Sequence, residues 1–396
     1  MTAQAGFEVA IVGASLASMF AAATLARSGL KILLVEVCPP QIDLGVLWPG
    51  LTEHWGMLVD SLGQDQCESL LGVMARSRDL LLESSAWALA QGRRGAVMQL
   101  ASNSTEMMEM TARLRWLSEI WPRRLMSAGS ASNYMTVNEV EGAAFVSDCC
   151  ACQPATFRSS MLAELIDLGV KIVADPGVIL GTGRGGEQVH VLGRTFHAEI
   201  VLIGAGHQSL DILGATGRWL FPQAGAVFEV ESVDEPWNSA LVGIESHRGH
   251  LMLAPHGQRS WSIAGMSPEG DLPAGHGKVN PRLVETLAQL AGERLGSLEG
   301  LVTSQPRSIV YTCSSDGLPA VGPVVGGHRW LLAGFAGRSW SMGPALGEQV
   351  ALALLAQPTP LLSALPCLRP RRFANQALGL YSSVRSPSGP ISSMIS

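Results

Sequence analysis

The chain has 396 residues, of which 47% are hydrophobic and 15% are charged, and its formal net charge is −6. This length predicts two domains, or one large domain with a cap, and it allows a substantial buried core. The mild negative charge argues against a nucleic-acid partner, and the low charged fraction indicates extensive surface that is buried or covered by a partner.

The first predicted elements are a strand over residues 7–12, a tight turn, a helix, and a strand over residues 33–36 that ends in Glu36. This is the layout of a dinucleotide-binding βαβ unit, with the acid 23 residues after Gly13. Only the first glycine of the G-x-G-x-x-G fingerprint is present, because Ser15 and Ser18 stand at the other two positions. An ordinary βαβ unit that binds no nucleotide is the alternative.

Residues 9–26 carry no charge and have the length of a membrane span. Gly13 and the small residues around it interrupt the stretch, and no basic segment precedes it. We therefore predict neither a transmembrane segment nor a signal peptide here.

The remaining pattern alternates helices and strands. Residues 42–56 are expected to form an irregular loop, and the tail from residue 357 to be ordered only in part. Helices are predicted over residues 64–89, 104–116, 154–168, 280–295 and 344–355. Strands are predicted over residues 96–100, 170–173, 199–206 and 330–334, with a hairpin within 181–197 and antiparallel strands within 222–270.

These elements predict an α/β fold in which a Rossmann-like nucleotide-binding domain is assembled from separated segments. Residues 1–60, 150–210 and 305–356 would build that domain. Residues 61–149 and 211–304 would build a mainly antiparallel substrate or cap domain with helices, and residues 357–396 would form the tail.

The seven cysteines are odd in number and mostly unpaired in spacing, which favours a reducing compartment such as the cytoplasm. Cys149, Cys150 and Cys152 form a cluster, but a zinc site needs a second pair of ligands at a suitable spacing and the sequence offers none. We expect free thiols and no metal site.

Three separated motifs carry a family resemblance. They are the N-terminal unit, the strand Val201–Gly206, and a late pair formed by D-G-x-P-x-x-G-P at residues 316–323 and G-F-x-G at residues 334–337. In this order the chain resembles the FAD-dependent D-amino-acid oxidase superfamily, in the branch of glycine oxidase and monomeric sarcosine oxidase. The resemblance covers most of the chain, and it implies an FAD cofactor.

The resemblance also implies which residues contact FAD. Late glycines let the backbone run close to a flat ring, and a helix starting near Pro344 would direct its positive end toward the flavin. The implied set is Gly13, Ala14 and Ser15 at the pyrophosphate, Glu36 at the ribose, Val178 at the adenine, Gly204, Ala205 and Gly206 in the second turn, and Gly334, Phe335, Ala336, Gly337 and Met342 over the isoalloxazine.

The substrate side departs from the family pattern. Tyr311 stands where glycine-oxidase-like enzymes have an arginine, and Ser341 where the sarcosine-oxidase branch has a lysine. Ile309 stands where that branch has a flavin-anchoring cysteine, so non-covalent FAD is expected. Arg338 could hold a substrate carboxylate, or it could pair with the flavin or with protein.

The implied activity is oxidation of the C–N bond of an amine or amino acid, with hydride transfer to flavin N5 and an imine product. Tyr311, Arg338 and His207 are the candidate catalytic or pocket residues, and the pattern favours, for His207, the alternative of a surface or capping residue beside a turn. Trp48, His54 and Trp340 could shape a bulky or apolar site.

Two other functions stay open. The first is a flavin-bearing or non-catalytic subunit of a larger oxidoreductase assembly, with protein partners. The second is a flavin-dependent hydroxylase, which the absence of a late G-D motif disfavours.

Overall fold

The computed structural model describes residues 6–37, 44–50, 55–116, 121–134, 137–183, 186–231, 238–246, 251–256, 260–266, 279–294, 306–324 and 327–374. His54 lies outside these residues, as do residues 375–396 of the tail.

The described strands are β1 Gly6–Val12, β2 Ile32–Glu36, β3 Val46–Leu47, β4 Arg93–Ala101, β5 Arg123–Ser127, β6 Gly142–Ala151, β7 Lys171–Ala174, β8 Ile179–Gly183, β9 Gly186–Val191, β10 Arg194–Ile203, β11 Leu220–Glu231, β12 Leu241–Ser246, β13 Leu251–His256, β14 Ser260–Met266, β15 Arg307–Ser314, β16 Ala320–Pro323 and β17 Arg329–Ala333. The described helices are α1 Leu16–Arg27, α2 Trp55–Leu62, α3 Gln64–Glu83, α4 Ser85–Leu89, α5 Ser104–Trp116, α6 Ala128–Ala131, α7 Pro154–Asp167, α8 Ser209–Leu213, α9 Pro281–Arg294, α10 Ser339–Leu354 and α11 Pro360–Ala364.

The first sheet has the strand order β16-β17-β10-β1-β2-β7, and its central pairs are parallel. Residues 9–12 of β1 and 32–35 of β2 are all buried, as expected for strands covered on both faces. Helices α1, α3, α7 and α10 pack together on one face. The β8–β9 hairpin extends from the start of β10.

The second sheet has the order β15-β11-β14-β13-β12-β4-β6-β3, with β5 beside β6. Its pairs are antiparallel except β4 with β12. Helix α9 packs on it through Leu283, Val284 and Leu287. The largely parallel first sheet with its helices, and the largely antiparallel second sheet, confirm the predicted α/β class.

The predicted segment boundaries remain a proposal, and three elements bear on them. Strands β3 and β15, which the prediction placed with the nucleotide-binding segments, hydrogen-bond within the second sheet. Helix α3, which it placed with the cap, packs against α10 beside the first sheet.

Several local predictions were wrong in detail. The single helix over residues 64–89 is two helices, because Ser84 has an extended backbone and its side chain caps α4 at the amide of Ala86, at 3.3 Å. The predicted loop 42–56 contains β3 and the start of α2. Strand β10 is continuous from Arg194, so it pairs antiparallel with β9 and then parallel with β1 and β17.

The helix predicted to start near Pro344 begins five residues earlier, at Ser339. Proline interrupts a helix least near its beginning, and Pro344 lies six positions into α10. The neighbouring amide of Ala345 donates to Ser77 Oγ of α3 at 3.1 Å. The helix N-terminus is therefore displaced toward the preceding loop.

The start of the tail is ordered against the first sheet. Arg372 forms a two-pronged ion pair with Asp316, with Nε–Oδ2 at 2.6 Å and Nη2–Oδ1 at 3.0 Å. Phe373 stacks on Trp219, with ring centroids 4.2 Å apart. Among the described helices, none is long and apolar enough to span a membrane.

Candidate active site

The parallel strands β17, β10 and β1 end at the same edge of the first sheet, and the turns after them line one cleft. Gly13 follows β1, residues 204–206 follow β10, and residues 334–337 follow β17. The cleft has a volume of about 200 Å³. Ligands of open α/β sheets bind at this edge, so the topology itself places a candidate site here.

Three helices begin at this cleft. Ser15 and Leu16 of α1, Pro154 of α7, and Ser339 of α10 all line it. The first amides of a helix lack partners within the helix, and the helix end carries a partial positive charge. The cleft is therefore suited to anionic groups. Among the described residues that line it, Arg158 carries a positively charged side chain.

The turn after β1 is packed tightly against the turn after β10. Gly13 has a φ of +102°, and a Cβ on it would lie 2.3 Å from the Ala205 Cα. Ser15 caps α1 by accepting from the Ser18 amide at 3.2 Å, and the two hydroxyls are 2.9 Å apart. The second and third fingerprint positions are thus occupied by two serines whose hydroxyls hydrogen-bond to each other.

Ser18 is fully buried, and its hydroxyl is directed at β10. Its Oγ donates to the Gly204 carbonyl at 3.4 Å. A Cβ on Gly204 would lie 2.1 Å from the same Oγ. The close approach that the fingerprint obtains from its third glycine is obtained here from Gly204, in the turn after β10.

Glu36 lies outside the cleft lining and pairs with Arg158, which lines it. The Arg158 guanidinium donates to the Glu36 carboxylate, and its side chain is 14% exposed. Sequence reasoning missed Arg158, because α7 was recognised only as a packing helix. Its place four residues after Pro154, one turn into a helix that starts at the cleft, was the available signal.

The loop between β17 and α10 has the backbone that its sequence requires. Gly334, Ala336 and Gly337 have φ values of +81°, +49° and +83°. The Ala336 amide donates to the Thr312 carbonyl of β15 at 2.9 Å, which fixes the loop against the second sheet. This loop forms one wall of the cleft.

Arg338 follows the loop and is buried, with 6% of its surface exposed. Its Nη2 donates to the Gly317 carbonyl at 2.5 Å, and its Nε lies 3.4 Å from the Phe335 carbonyl. The guanidinium therefore connects the two late motifs through main-chain carbonyls. It borders a second cavity rather than the cleft itself.

Tyr311 lies on β15 with its ring between two glycines. A Cβ on Gly225 of β11 would lie 2.4 Å from Cε2, and one on Gly337 would lie 3.3 Å from Cε1. Because neither neighbour has a side chain, the ring fits between the second sheet and the loop. Tyr311 borders both the cleft and the second cavity.

The second cavity has a volume of about 80 Å³ and adjoins the cleft, sharing Tyr311, Ala336, Gly337 and Trp340 with it. Its other described lining residues are Leu44, Gly45, Val46, Trp48, Gly50, Met252, Ala264, Gly265, Met266, Arg338 and Ser341. Ser341 Oγ donates to the Trp48 carbonyl at 2.9 Å. This serine therefore fixes the segment that carries Trp48.

The remaining candidates occupy different positions. His207 lines the cleft from a 3-10 turn at residues 206–208. Met342 is fully buried in the core beside α1, and Val178 packs against the other face of the first sheet. Cys313 is buried on β15 with its Sγ 3.3 Å from Gln223 Oε1, outside the cleft lining.

The structure thus gathers most of the candidates into one cleft: Gly13, Ala14, Ser15, Gly204, Ala205, Gly206, His207, Tyr311, Gly334, Phe335, Ala336 and Gly337. Glu36, Val178, Met342 and Arg338 are outside its lining. In the part of the chain that the structure describes, no cluster of three His, Cys, Asp or Glu residues could hold a metal ion.

A model of the FAD-dependent oxidoreductase family DAO matches residues 8–353. The chain belongs to this family. No curated protein matches the sequence significantly.

The fold of this DAO-family member is also that of solved flavoenzymes. Glycine oxidase from Geobacillus kaustophilus is 17% identical, with a TM-score of 0.76, over 92% of this chain and 98% of that one. Iminodiacetate oxidase from Chelativorans sp. BNC1 is 18% identical, with a TM-score of 0.72, over 91% and 98%. L-proline dehydrogenase from P. horikoshii is 15% identical, with a TM-score of 0.74, over 94% and 98%. The predicted family is therefore confirmed.

The cleft of this family member fits an elongated anionic cofactor such as FAD. Gly13 leaves the space beside Ala205 that any side chain would fill, and the α1 N-terminus opens beside it. At the other end, Gly334, Ala336 and Gly337 have a left-handed backbone and small or absent side chains, which leaves room for a group beside this wall. The chain is an FAD-dependent oxidoreductase by its family, and its residues are consistent with that cofactor.

Proposed function

We propose that this protein uses FAD to oxidise the C–N bond of an amine or amino acid. One observation carries the proposal: the cleft at which three helices begin and three parallel strands end adjoins a second cavity, and Tyr311 and Trp340 line both. FAD would supply the acceptor of a hydride at its N5, and the substrate carbon next to nitrogen would give it up to form an imine.

The chain's own residues have separate roles in this proposal. Gly13, Ala14, Ser15 and the start of α1 would hold the pyrophosphate, and Glu36 the ribose. Val178 would meet the adenine through its backbone. Residues 204–206 and 334–337 would lie against the ring system, with Met342 packed behind them.

Arg158 extends the proposed cofactor site. Its ion pair fixes the orientation of the Glu36 carboxylate, which keeps lone pairs available for ribose hydroxyls. Because its guanidinium also borders the cleft, it adds positive charge near the cofactor phosphates.

The substrate side would be formed by Tyr311, Arg338 and His207. Tyr311 lines both cavities, and Arg338 would fix the loop over the flavin. His207 borders the cleft from the turn after β10. No general base is required if the amine enters neutral, because the nitrogen lone pair itself drives hydride departure.

Non-covalent attachment is supported by Ile309, which lines the cleft at the position of the family's anchoring cysteine. Acid precipitation of the purified protein should release its flavin into the supernatant. Flavin that stays with the pellet would show a covalent link. The six described cysteines are free, which supports a reducing compartment.

The purified protein should show a flavin spectrum that amines or amino acids bleach without oxygen. Glu36→Ala should lower FAD affinity by roughly tenfold, the loss of about one good polar contact, while Glu68→Ala, on exposed α3 surface, should not. A colourless protein that takes up no FAD would refute the proposal. Bound FAD that no amine reduces would instead favour a flavin-bearing subunit, and reduction only by a reduced nicotinamide cofactor would favour a hydroxylase.

A further inference from the structure

Residues 360–373, here called the strap, follow α10 and pack against two parts of the molecule. The first part of the strap, α11, contacts α3 and α10, and its 3-10 turns at residues 366–368 and 370–373 contact β16. None of the described residues that line the two cavities belongs to the strap. The function proposed above therefore gives this segment no direct contact with substrate or cofactor.

Arg372 of the strap binds the turn between β15 and β16, which carries the first late motif. Its Nε and Nη2 donate to the two carboxylate oxygens of Asp316 at 2.6 and 3.0 Å, and Nη2 also donates to the Leu318 carbonyl at 2.8 Å. The Arg372 side chain is 15% exposed. A planar guanidinium that makes two parallel bonds to a carboxylate fixes orientation as well as distance. The strap therefore holds the turn on both sides of Gly317.

Asp316 passes this constraint to the backbone of the turn. Its Oδ1 accepts from the Leu318 amide at 3.1 Å and lies 3.0 Å from Ser314 Oγ. Between these partners, Gly317 has a left-handed backbone with a φ of +74°. The carboxylate that Arg372 binds thus also determines how the Gly317 carbonyl is presented.

The Gly317 carbonyl is in turn a contact of the loop between β17 and α10. It accepts from Arg338 Nη2 at 2.5 Å, and the Arg338 amide donates to the Phe335 carbonyl at 2.9 Å. Arg338 directly follows residues 334–337, which form one wall of the cleft. A continuous set of polar contacts therefore joins the strap to that wall.

We propose that Arg372 is a positioning residue for the flavin reaction. By fixing Asp316 and Gly317, it sets where Arg338 holds the loop at residues 334–337. This inference rests on the proposed function, in which that loop lies against the ring system. Hydride transfer needs the donor carbon and flavin N5 in a narrow range of geometry, and a misplacement of about 1 Å costs about a hundredfold in rate.

Arg372→Gln removes the two-pronged contact and keeps a polar side chain. In FAD-loaded enzyme without oxygen, the rate constant of flavin reduction at saturating amine should fall by at least about tenfold. FAD affinity should change by less than about threefold, because the turn after β1 is not among these contacts. Arg372→Lys keeps the charge without the planar fork, so it should recover only part of the rate.

Arg76→Gln is the matched control. Arg76 also forms a two-pronged ion pair, with Glu348 at 3.1 and 2.7 Å, but this pair joins α3 to α10 and neither residue lines either cavity. The control variant should lose stability to a similar degree, measured by urea denaturation, and reduce its flavin at the wild-type rate. Equal slowing in the Arg76 and Arg372 variants would overturn the inference, because the effect would then follow general stability.

A double variant tests whether Arg372 acts through Asp316. Asp316→Asn combined with Arg372→Gln should reduce flavin about as slowly as the slower single variant, because both changes remove one contact. Multiplied effects on the rate would contradict a shared path. The reduction potential of the bound flavin, measured by dye titration, gives a readout without any amine. It should differ from wild type in Arg372→Gln and not in Arg76→Gln.

Two failures are distinguishable. A wild-type reduction rate and potential in Arg372→Gln would overturn the inference and leave the proposed function intact. Failure of every amine and amino acid to reduce the bound FAD of the wild type would refute the proposed function.

Discussion

Ser18 and Gly204 form a matched pair across the first βαβ turn. A methyl group on Gly204 would lie 2.1 Å from Ser18 Oγ, and 3.4 Å from Ser15 Oγ. Gly204→Ala should therefore lower the free energy of unfolding by about 1–3 kcal/mol, the usual cost of overpacking. Urea denaturation of the purified variant measures the change.

Removing the serine that the methyl group meets provides the control. The double variant Ser18→Gly, Gly204→Ala should recover stability relative to Gly204→Ala alone, with a coupling energy of about 1 kcal/mol or more. Strict additivity of the two changes would show that the serine and the glycine do not constrain each other.

Gly225 positions Tyr311 from the neighbouring strand. A methyl group there would lie 2.4 Å from the ring and 2.8 Å from the Gly265 carbonyl, so the ring must move. With FAD still bound, Gly225→Ala should slow flavin reduction by the best amine by at least about tenfold, equivalent to roughly 1.4 kcal/mol. Rapid-mixing absorbance under nitrogen gives the rate.

Gly6→Ala is the matched change in a strand, because nothing lies within 4 Å of a Cβ at Gly6. It should leave the reduction rate unchanged. A normal rate in Gly225→Ala would mean that the Tyr311 ring position does not matter for the reaction.

Some of the site residues could be predicted from the sequence and others could not. Gly13 and the late Gly334–Gly337 loop were predictable, because each needs a backbone conformation that few other residues adopt. The contact between Ser18 and Gly204 was not predictable, since it joins helix α1 to the turn after β10, 186 residues away in the chain. Arg158 and the neighbours of Tyr311 are likewise fixed by packing between distant segments.

At the scale of elements, α1 and α10 cross at small residues. A Cβ on Gly347 would lie 2.1 Å from the Ala17 carbonyl, and one on Gly343 would lie 3.4 Å from the Ala17 Cβ. Gly347→Ala should therefore separate the two helices and lower the free energy of unfolding by about 1–3 kcal/mol or more.

Gly72→Ala is the control for helix propensity. Gly72 lies inside α3, and its Cβ would make an ordinary 3.6 Å contact with Leu361. That change should raise stability by about 0.5–1 kcal/mol, the gain expected for alanine over glycine in a helix. Equal effects of the two substitutions, measured by urea denaturation, would contradict a tight crossing at Gly347.

Element types were easier to predict than their limits. The strands β1, β2 and β17 follow from continuous apolar runs, and α7 from Pro154 and the stop at Gly169. Helix α10 was predicted too short because proline is typical of the first turn of a helix. In the structure Pro344 lies inside the helix, and the neighbouring Ala345 amide donates to Ser77 Oγ. Strand β10 was divided because its two halves have different partners.

For the whole molecule, buried thiols should lower the free energy of unfolding at high pH. Burial raises the pKa of Cys150 from 9.0 to about 12, and it raises the pKa of Cys149 well above its ordinary value. Cys67 is shifted in the same direction by burial. Each thiol keeps its proton in the folded chain after the unfolded chain has lost it.

Stability should therefore be constant with respect to these groups below pH 9 and fall as pH rises through 9 toward 12. In that interval the folded state binds more protons, so Cys150 lowers the free energy of unfolding by at most roughly 1.4 kcal/mol per pH unit, and Cys149 and Cys67 act in the same direction. Cys150→Ala should show a shallower decline than wild type in urea denaturation at pH 8, 9 and 10. Parallel curves would show that Cys150 does not contribute.

The parallel pairing of β1 with β10 also has a consequence for synthesis on the ribosome. The buried strand β1 is completed at residue 12, but its neighbour β10 ends at residue 203, and β17, which pairs with β10, ends at residue 333. At about 5–20 residues per second, the first strand waits roughly tens of seconds for β10, the partner on that edge. The cleft beside the Gly13 turn consequently gains its wall at residues 334–337 only when almost the whole chain has emerged, and we expect newly made protein to need protection of its N-terminal strand until β10 is made.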